Sequence, residues 1–314
     1  GFIASTTLPG ANTNSGGTGI TFDGAGNALV IGQSSGPNNE QKVAVYRVAA
    51  NGSTLISSVT FSSDNTLNDF AFGSGSLWIS GAIETAGPID FNGDFSRIKA
   101  VAALWKYDLN LNLLTLTTTY ARGADFDAGL GVRVDAVGNI WVIGYSSNPA
   151  GGAKPLDLAL WKYDPTGTAL LAGPFLRSGY LKDTSAAFGA HLTVVAGGLF
   201  ASAVRGGASG NTELAFLKYD LNGNVLVERA WQSGQAGDSA FTNGMAVDAS
   251  GNLNIAGGLA QGFNSSLALW QYRPDASLVG AQTIAGVGGA SGIALSGGSQ
   301  WLAVGGSSSP FLVA

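Results

Sequence analysis

The stretch that decides the fold is GVRVDAVGNIWVIGYSS (Gly131–Ser147), followed after a loop by LDLALWKYDPTGTALLAGPF (Leu156–Phe175). Four short apolar runs alternate in it, and two of the joints, Asp135-Ala-Val-Gly-Asn139 and Asp164-Pro-Thr-Gly-Thr168, carry hairpin chemistry. Asp, Pro, Gly and Asn supply the positive φ and the side-chain-to-backbone hydrogen bonds that a tight turn needs. One copy of this pattern therefore reads as a four-stranded antiparallel meander.

The pattern repeats along the chain. Its first half recurs from Gly19, Asn68, His191, Gly244 and Gly292, and its second half from Val43, Ala102, Leu214 and Leu267. The turn glycines at 26, 75, 138, 197, 251 and 298 lie 47 to 63 residues apart, a drift that loop insertions explain. The sixth second half is split: SSSPFLVA at the end supplies a third strand and Phe2–Leu8 at the start a fourth. The expectation is an all-β, six-bladed β-propeller, one domain over residues 1–314. Its four-stranded antiparallel blades would form a ring closed by N- and C-terminal strands sharing the last blade, which leaves no open edge.

Alternation predicts the packing. In the third strand, Ala159, Trp161 and Tyr163 face one side and Leu158, Leu160 and Lys162 the other. Both sides are apolar enough to need a neighbouring blade. Burying each aromatic removes roughly 150–250 Å² from water, several kcal/mol as an upper estimate. Trp78, Trp141, Phe200 and Trp301 share one position of the second strand and read as inter-blade core.

Composition narrows the function. With 45% hydrophobic and 11% charged residues the chain should fold. A net charge of −5 provides no basic field for nucleic acid. There is no cysteine, so thiolate metal sites and disulfides are excluded. No apolar run approaches the roughly 18 residues of a membrane-spanning helix. The chain opens at Gly1, which leads us to expect removal of a leader or tag.

The units resemble the SBBP family of bacterial β-propeller repeats. The resemblance rests on Asp135, Gly138, Asn139, Gly144 and Ser146, on Lys162, Tyr163, Asp164 and Gly167, and on the matching residues Asp248, Gly251, Asn252, Lys218, Tyr219, Asp220 and Gly223. It implies a secreted or cell-surface bacterial protein and carries no catalytic signature.

Stereotyped hairpins join strands 1–2 and 3–4 of each unit. All the variable insertions fall at the opposite end, which makes that end the functional candidate. Its longest loops are Glu84–Lys99, Tyr145–Asp157, Arg177–Gly189 and Gln232–Asn243. The expected function is a non-enzymatic binding scaffold for a protein or glycan. The alternatives are a propeller enzyme acting on a carbohydrate or small molecule, and a structural subunit that forms a homo-oligomer or filament through its terminal strands.

Three residues stand out as ligand candidates. Arg133 occupies a first-strand position that holds Thr21, Ala71, Thr193, Ala246 and Ala294 elsewhere, so it must reach water or a carboxylate, with Asp69 as a partner. His191, the one histidine, reads mainly as structural. Asp125 with Asp127, and Asp90 with Asp94, place hard oxygen ligands in loops where calcium could bind. Asp220-Leu-Asn-Gly-Asn224 has a similar look but reads as a turn.

Overall fold

A computed structural model describes residues 15–35, 41–61, 65–86, 99–119, 126–147, 156–181, 189–207, 210–235, 237–261, 264–285, 288–296, 300–305 and 311–313. These residues build the four-stranded blades of an all-β propeller, and the complete blades number five. Blade 1 comprises β1 (Ser15–Phe22), β2 (Ala28–Ser35), β3 (Gln41–Val48) and β4 (Leu55–Thr60). Blade 2 comprises β5 (Asn65–Gly73), β6 (Ser76–Ala86), β7 (Lys99–Tyr107) and β8 (Leu113–Thr119). Blade 3 comprises β9 (Asp127–Val134), β10 (Ile140–Ser147), β11 (Leu156–Tyr163) and β12 (Leu170–Leu181). Blade 4 comprises β13 (Ala190–Val195), β14 (Gly198–Gly206), β15 (Thr212–Tyr219) and β16 (Val225–Trp231). Blade 5 comprises β17 (Asp238–Val247), β18 (Leu253–Gln261), β19 (Asn264–Tyr272) and β20 (Leu278–Ile284).

The expected count of six is corrected here. The sixth repeat forms a three-stranded sheet of β21 (Ala290–Ser296), β22 (Gln300–Gly305) and β23 (Phe311–Val313). Among the described residues no fourth strand pairs with β23. Phe2–Leu8, expected to supply the missing strand, lies outside the described residues. The fourth strand of blade 3 also runs longer than expected, to Leu181, and takes up part of the anticipated 177–189 loop.

The chain divides into two compact units, Gly1–Val142 with Lys162–Leu171 and Ile143–Trp161 with Ala172–Ala314. The first unit packs Leu29, Ile31 and Val45 against Leu77, Ile79 and Trp105, with Phe61 edge-on to the Trp105 ring at 5.8 Å. The second packs Phe200 and Phe216 against Leu253, Ile255 and Trp270, with Phe216 stacked on Tyr272 at 4.7 Å. Alternation set the third strand correctly: every residue of Leu156–Tyr163 is buried except the half-buried Lys162. Trp78, Trp141 and Phe200 are core residues, as their shared position predicted.

The hairpin ends are held by one device. The Asp23 carboxylate accepts the backbone N–H groups of Ala25 and Asn27 and the Asn27 side-chain amide, each at 2.9 Å. Asp135 with Asn139, Asp248 with Asn252, Asp108 with Asn112 and Asp220 with Asn224 repeat the arrangement. The repeated Asp-x-x-Gly-Asn is thus a turn lock, Asp220 included. Third-strand cations then tie three blades to the outer hairpin of the next blade. Arg47 donates to the Leu109 carbonyl at 2.7 Å, Lys106 to that of Pro165 at 3.4 Å and Lys218 to that of Pro274 at 2.8 Å. Lys106 also lies 4.7 Å from the Trp78 ring centroid, a cation–π contact.

Candidate functional site

The predicted ligand residues are structural in their contacts. On β9, Arg133 donates to Asp69 Oδ2 at 2.6 Å, and the same oxygen accepts the Val132 N–H at 3.0 Å. The structure therefore brings Arg133 and Asp69 together as an inter-blade pair within the first unit. Their side chains keep 31% and 21% of their exposure, so water still reaches the pair. His191 on β13 places Nε2 3.2 Å from the Thr242 carbonyl of the next inner strand. A carbonyl only accepts, so Nε2 carries the proton here.

Asparagines do the same job elsewhere. β5 and β17 each carry one extra residue, Asn68 and Asn243, at a bulge. Asn68 donates to the Gly129 carbonyl at 2.8 Å and Asn243 to the Ala290 carbonyl at 2.6 Å. Gly129, Thr242 and Ala290 hold corresponding positions of the inner strands β9, β17 and β21, so His191 stands in for an asparagine. Tyr145 is a second pin that sequence reasoning missed. Its buried hydroxyl donates toward the Val204 carbonyl at 2.9 Å and accepts the Val204 N–H at 3.1 Å. Burial pushes this phenol well above its ordinary range.

Of the four proposed calcium ligands, one is among the described residues. Asp127 is fully buried at the first position of β9, while Asp90, Asp94 and Asp125 lie outside the described residues. Among the described residues no group of three or more His, Asp or Glu side chains could hold a metal ion.

A concave site does form in the second unit, at the variable-loop end. It is a cleft of about 390 Å³, lined by Trp231, Ser233, Gln235, Asp238, Ser266 and Thr283, with Leu259 and Ala281 as its apolar wall. That volume falls in the range of about 300–1,000 Å³ usual for small-molecule sites. Strand register assembles it. Leu259 lies opposite Ala240 and Ser266, Thr283 opposite Ala268, and Ala281 opposite Trp270. The short 232–237 connection turns at Gly237, whose φ of 88° only glycine adopts readily, with the Asp238 N–H donating toward the Gln235 carbonyl at 3.4 Å. The Asn211 amide donates to the Asp238 carbonyl at 2.8 Å. The Asp238 backbone is thereby fixed from both sides.

The side chains in the cleft differ from those at the hairpins. Asp238 retains 5% of its exposure, yet its Oδ1 has no hydrogen-bond partner among the described residues. Trp231 is half-buried and braced edge-on against the fully buried Trp270, with ring centroids 5.2 Å apart. One acid, three hydroxyl residues, an amide residue and a tryptophan line one hollow. Such a set can accept and donate hydrogen bonds to a polar ligand while an aromatic ring covers part of it.

No known protein family and no curated protein matches the sequence. Solved structures match in fold. Trypanosoma rangeli sialidase in complex with 2,3-difluorosialic acid is 12% identical with a TM-score of 0.52, covering 92% of this chain and 51% of its own. A protein of unknown function from Dyadobacter fermentans is 9% identical with a TM-score of 0.51, covering 77% and 74%. A europium-containing methanol dehydrogenase is 11% identical with a TM-score of 0.50, covering 91% and 64%. The chain spans about half the length of the sialidase it matches. At these identities the likeness is one of fold: the chain is similar to β-propellers that carry different chemistries.

Proposed function

We propose that the protein is a non-enzymatic binding module, secreted or held at a bacterial cell surface, that engages a glycan or protein through the loop ends of its blades. The observation that carries this reading is the single-carboxylate cleft between Trp231 and Asp238. Glycoside hydrolysis by the common routes needs two carboxyl groups about 5–10 Å apart, and among the described residues Asp238 is the one acid that lines the hollow. Arg133 and His191, the other candidates for chemistry, are engaged by Asp69 and by the Thr242 carbonyl. The surface location rests on the composition and on the resemblance to SBBP-type repeats. Recovery of the chain only from the cytoplasm of its source cells would refute it.

The alternative is a carbohydrate-acting enzyme, favoured by the likeness in fold to a sialidase. One experiment separates the two. The purified chain is presented with glycan and protein arrays, and any bound glycan is recovered and weighed by mass spectrometry. Capture of an intact glycan or a protein, lost when the 232–237 connection is replaced by a Gly-Ser linker, is the expected result. Release of a cleaved product would establish the enzyme instead.

A further inference from the structure

Resting on the binding-module reading, we infer that the Trp231–Asp238 cleft takes a neutral, hydroxyl-rich saccharide ring and discriminates against acidic sugars. Three features on the same wall point that way. Asp238 is more than nine-tenths buried, and its Oδ1 is unmatched by any protein donor among the described residues. A buried carboxyl group is stabilised by a hydrogen-bonding partner. Among neutral ligands, the adjacent hydroxyls of a sugar ring supply donors at the spacing of one carboxylate.

Trp231 supplies the complementary surface. Its ring is held edge-on by Trp270, so stacking on it immobilises little that is not already fixed. A pyranose has an apolar face of C–H groups and a polar rim of hydroxyls. The indole together with Leu259 and Ala281 suits the face, and Asp238, Gln235, Ser266 and Thr283 suit the rim.

Charge decides the class. Among the described residues no lysine or arginine lines the cleft, and its one ionisable side chain is an acid. A sialic acid or uronic acid would bring its carboxylate beside Asp238 with no cation from those residues to offset it. A bare divalent cation would find one carboxylate where it normally requires six to eight oxygen ligands.

The test is a titration of the full chain, followed by tryptophan fluorescence and calorimetry. The probes are methyl glycosides of glucose, galactose, mannose and N-acetylglucosamine, then N-acetylneuraminic acid, glucuronic acid and calcium chloride alone. At least one neutral glycoside should bind saturably, and each acidic sugar at least tenfold more weakly. Asp238→Asn and Trp231→Ala should each weaken the neutral ligand tenfold or more without changing the melting temperature appreciably. Thr283→Val, on the exposed outer strand, provides a milder variant expected to lose severalfold if the larger changes unfold the chain. Absence of neutral binding, preference for an acidic sugar, saturation by calcium alone, or affinity unchanged in all three variants would overturn the inference. Array capture that survives these variants but not replacement of the 232–237 connection would sink the saccharide cleft and leave the binding-module reading standing.

Discussion

Aspartate is used in two opposite ways at the two ends of these blades. At the hairpin ends each lock carboxylate is saturated: Asp135 accepts the N–H groups of Val137 and Asn139, the Asn139 amide and the Trp141 indole N–H. At the loop end Asp238 is as buried as Asp23 and Asp135, but one of its oxygens finds no protein donor among the described residues. Burial alone therefore does not separate the two ends. A saturated carboxylate stabilises a turn, and the Asp238 carboxylate is the one we assign to a ligand.

The largest expected effect on stability is at Asp23. Its carboxylate also accepts from Arg47 at 2.7 Å, and the two side chains retain only 1% and 12% of their exposure. Asp23→Ala strands a buried guanidinium and unlocks the turn, so a loss of about 3 kcal/mol is expected. Chemical denaturation checks this, and a loss below about 1 kcal/mol would break the contrast between the two ends. Tyr145→Phe comes next. It removes the hydroxyl's bonds to Val204, whose N–H keeps the Gly189 carbonyl at 3.2 Å, and about 1.5 kcal/mol should be lost.

Acid gives a graded version of the same comparison. Burial pushes the Asp23 carboxyl up, but the Asn27 amide, the Arg47 guanidinium and the turn N–H groups outweigh it and hold it at about 2. Asp108 and Asp220 are lowered first of all by the amides of Asn112 and Asn224. A depressed carboxyl contributes stability that is complete above its unfolded value of about 3.9 and disappears as pH falls through the folded value. Stability should therefore hold down to about pH 4 and decline between about pH 4 and 2. A melting temperature that stays flat across that window would contradict the lock. Arg133→Ala, the smallest of these effects, should lose about 1 kcal/mol, since its pair with Asp69 is part-exposed.

The fold was legible because its signals are local and repeated. Asp-x-x-Gly-Asn marks a turn wherever it stands, and period-two alternation through Leu158–Tyr163 announces a strand covered on both faces. The blade count departed from expectation at the sixth repeat, where β21, β22 and β23 pair and no fourth strand joins them among the described residues. For the candidate site, Arg133 was conspicuous against five small residues at its position, and that contrast led to Asp69. The cleft had no such signal. Trp231, Asp238, Ser266 and Thr283 come from four segments that only strand register brings together, and variable loops offer no internal copy for comparison. The inter-blade roles of Asn68, Asn243 and His191 were hidden for a different reason. Each is a lateral bond between repeats, while the repeat pattern displays what happens within one.

The most direct test of the account is the indole N–H spectrum of the ¹⁵N-labelled chain during titration with a neutral methyl glycoside. The Trp231 signal, identified by its loss in Trp231→Phe, should shift saturably while those of the core residues Trp78 and Trp141 stay fixed. A Trp231 signal that never moves, or a saturable shift at Trp141 in its place, would contradict the assignment of binding to the loop end and of structure to the hairpins.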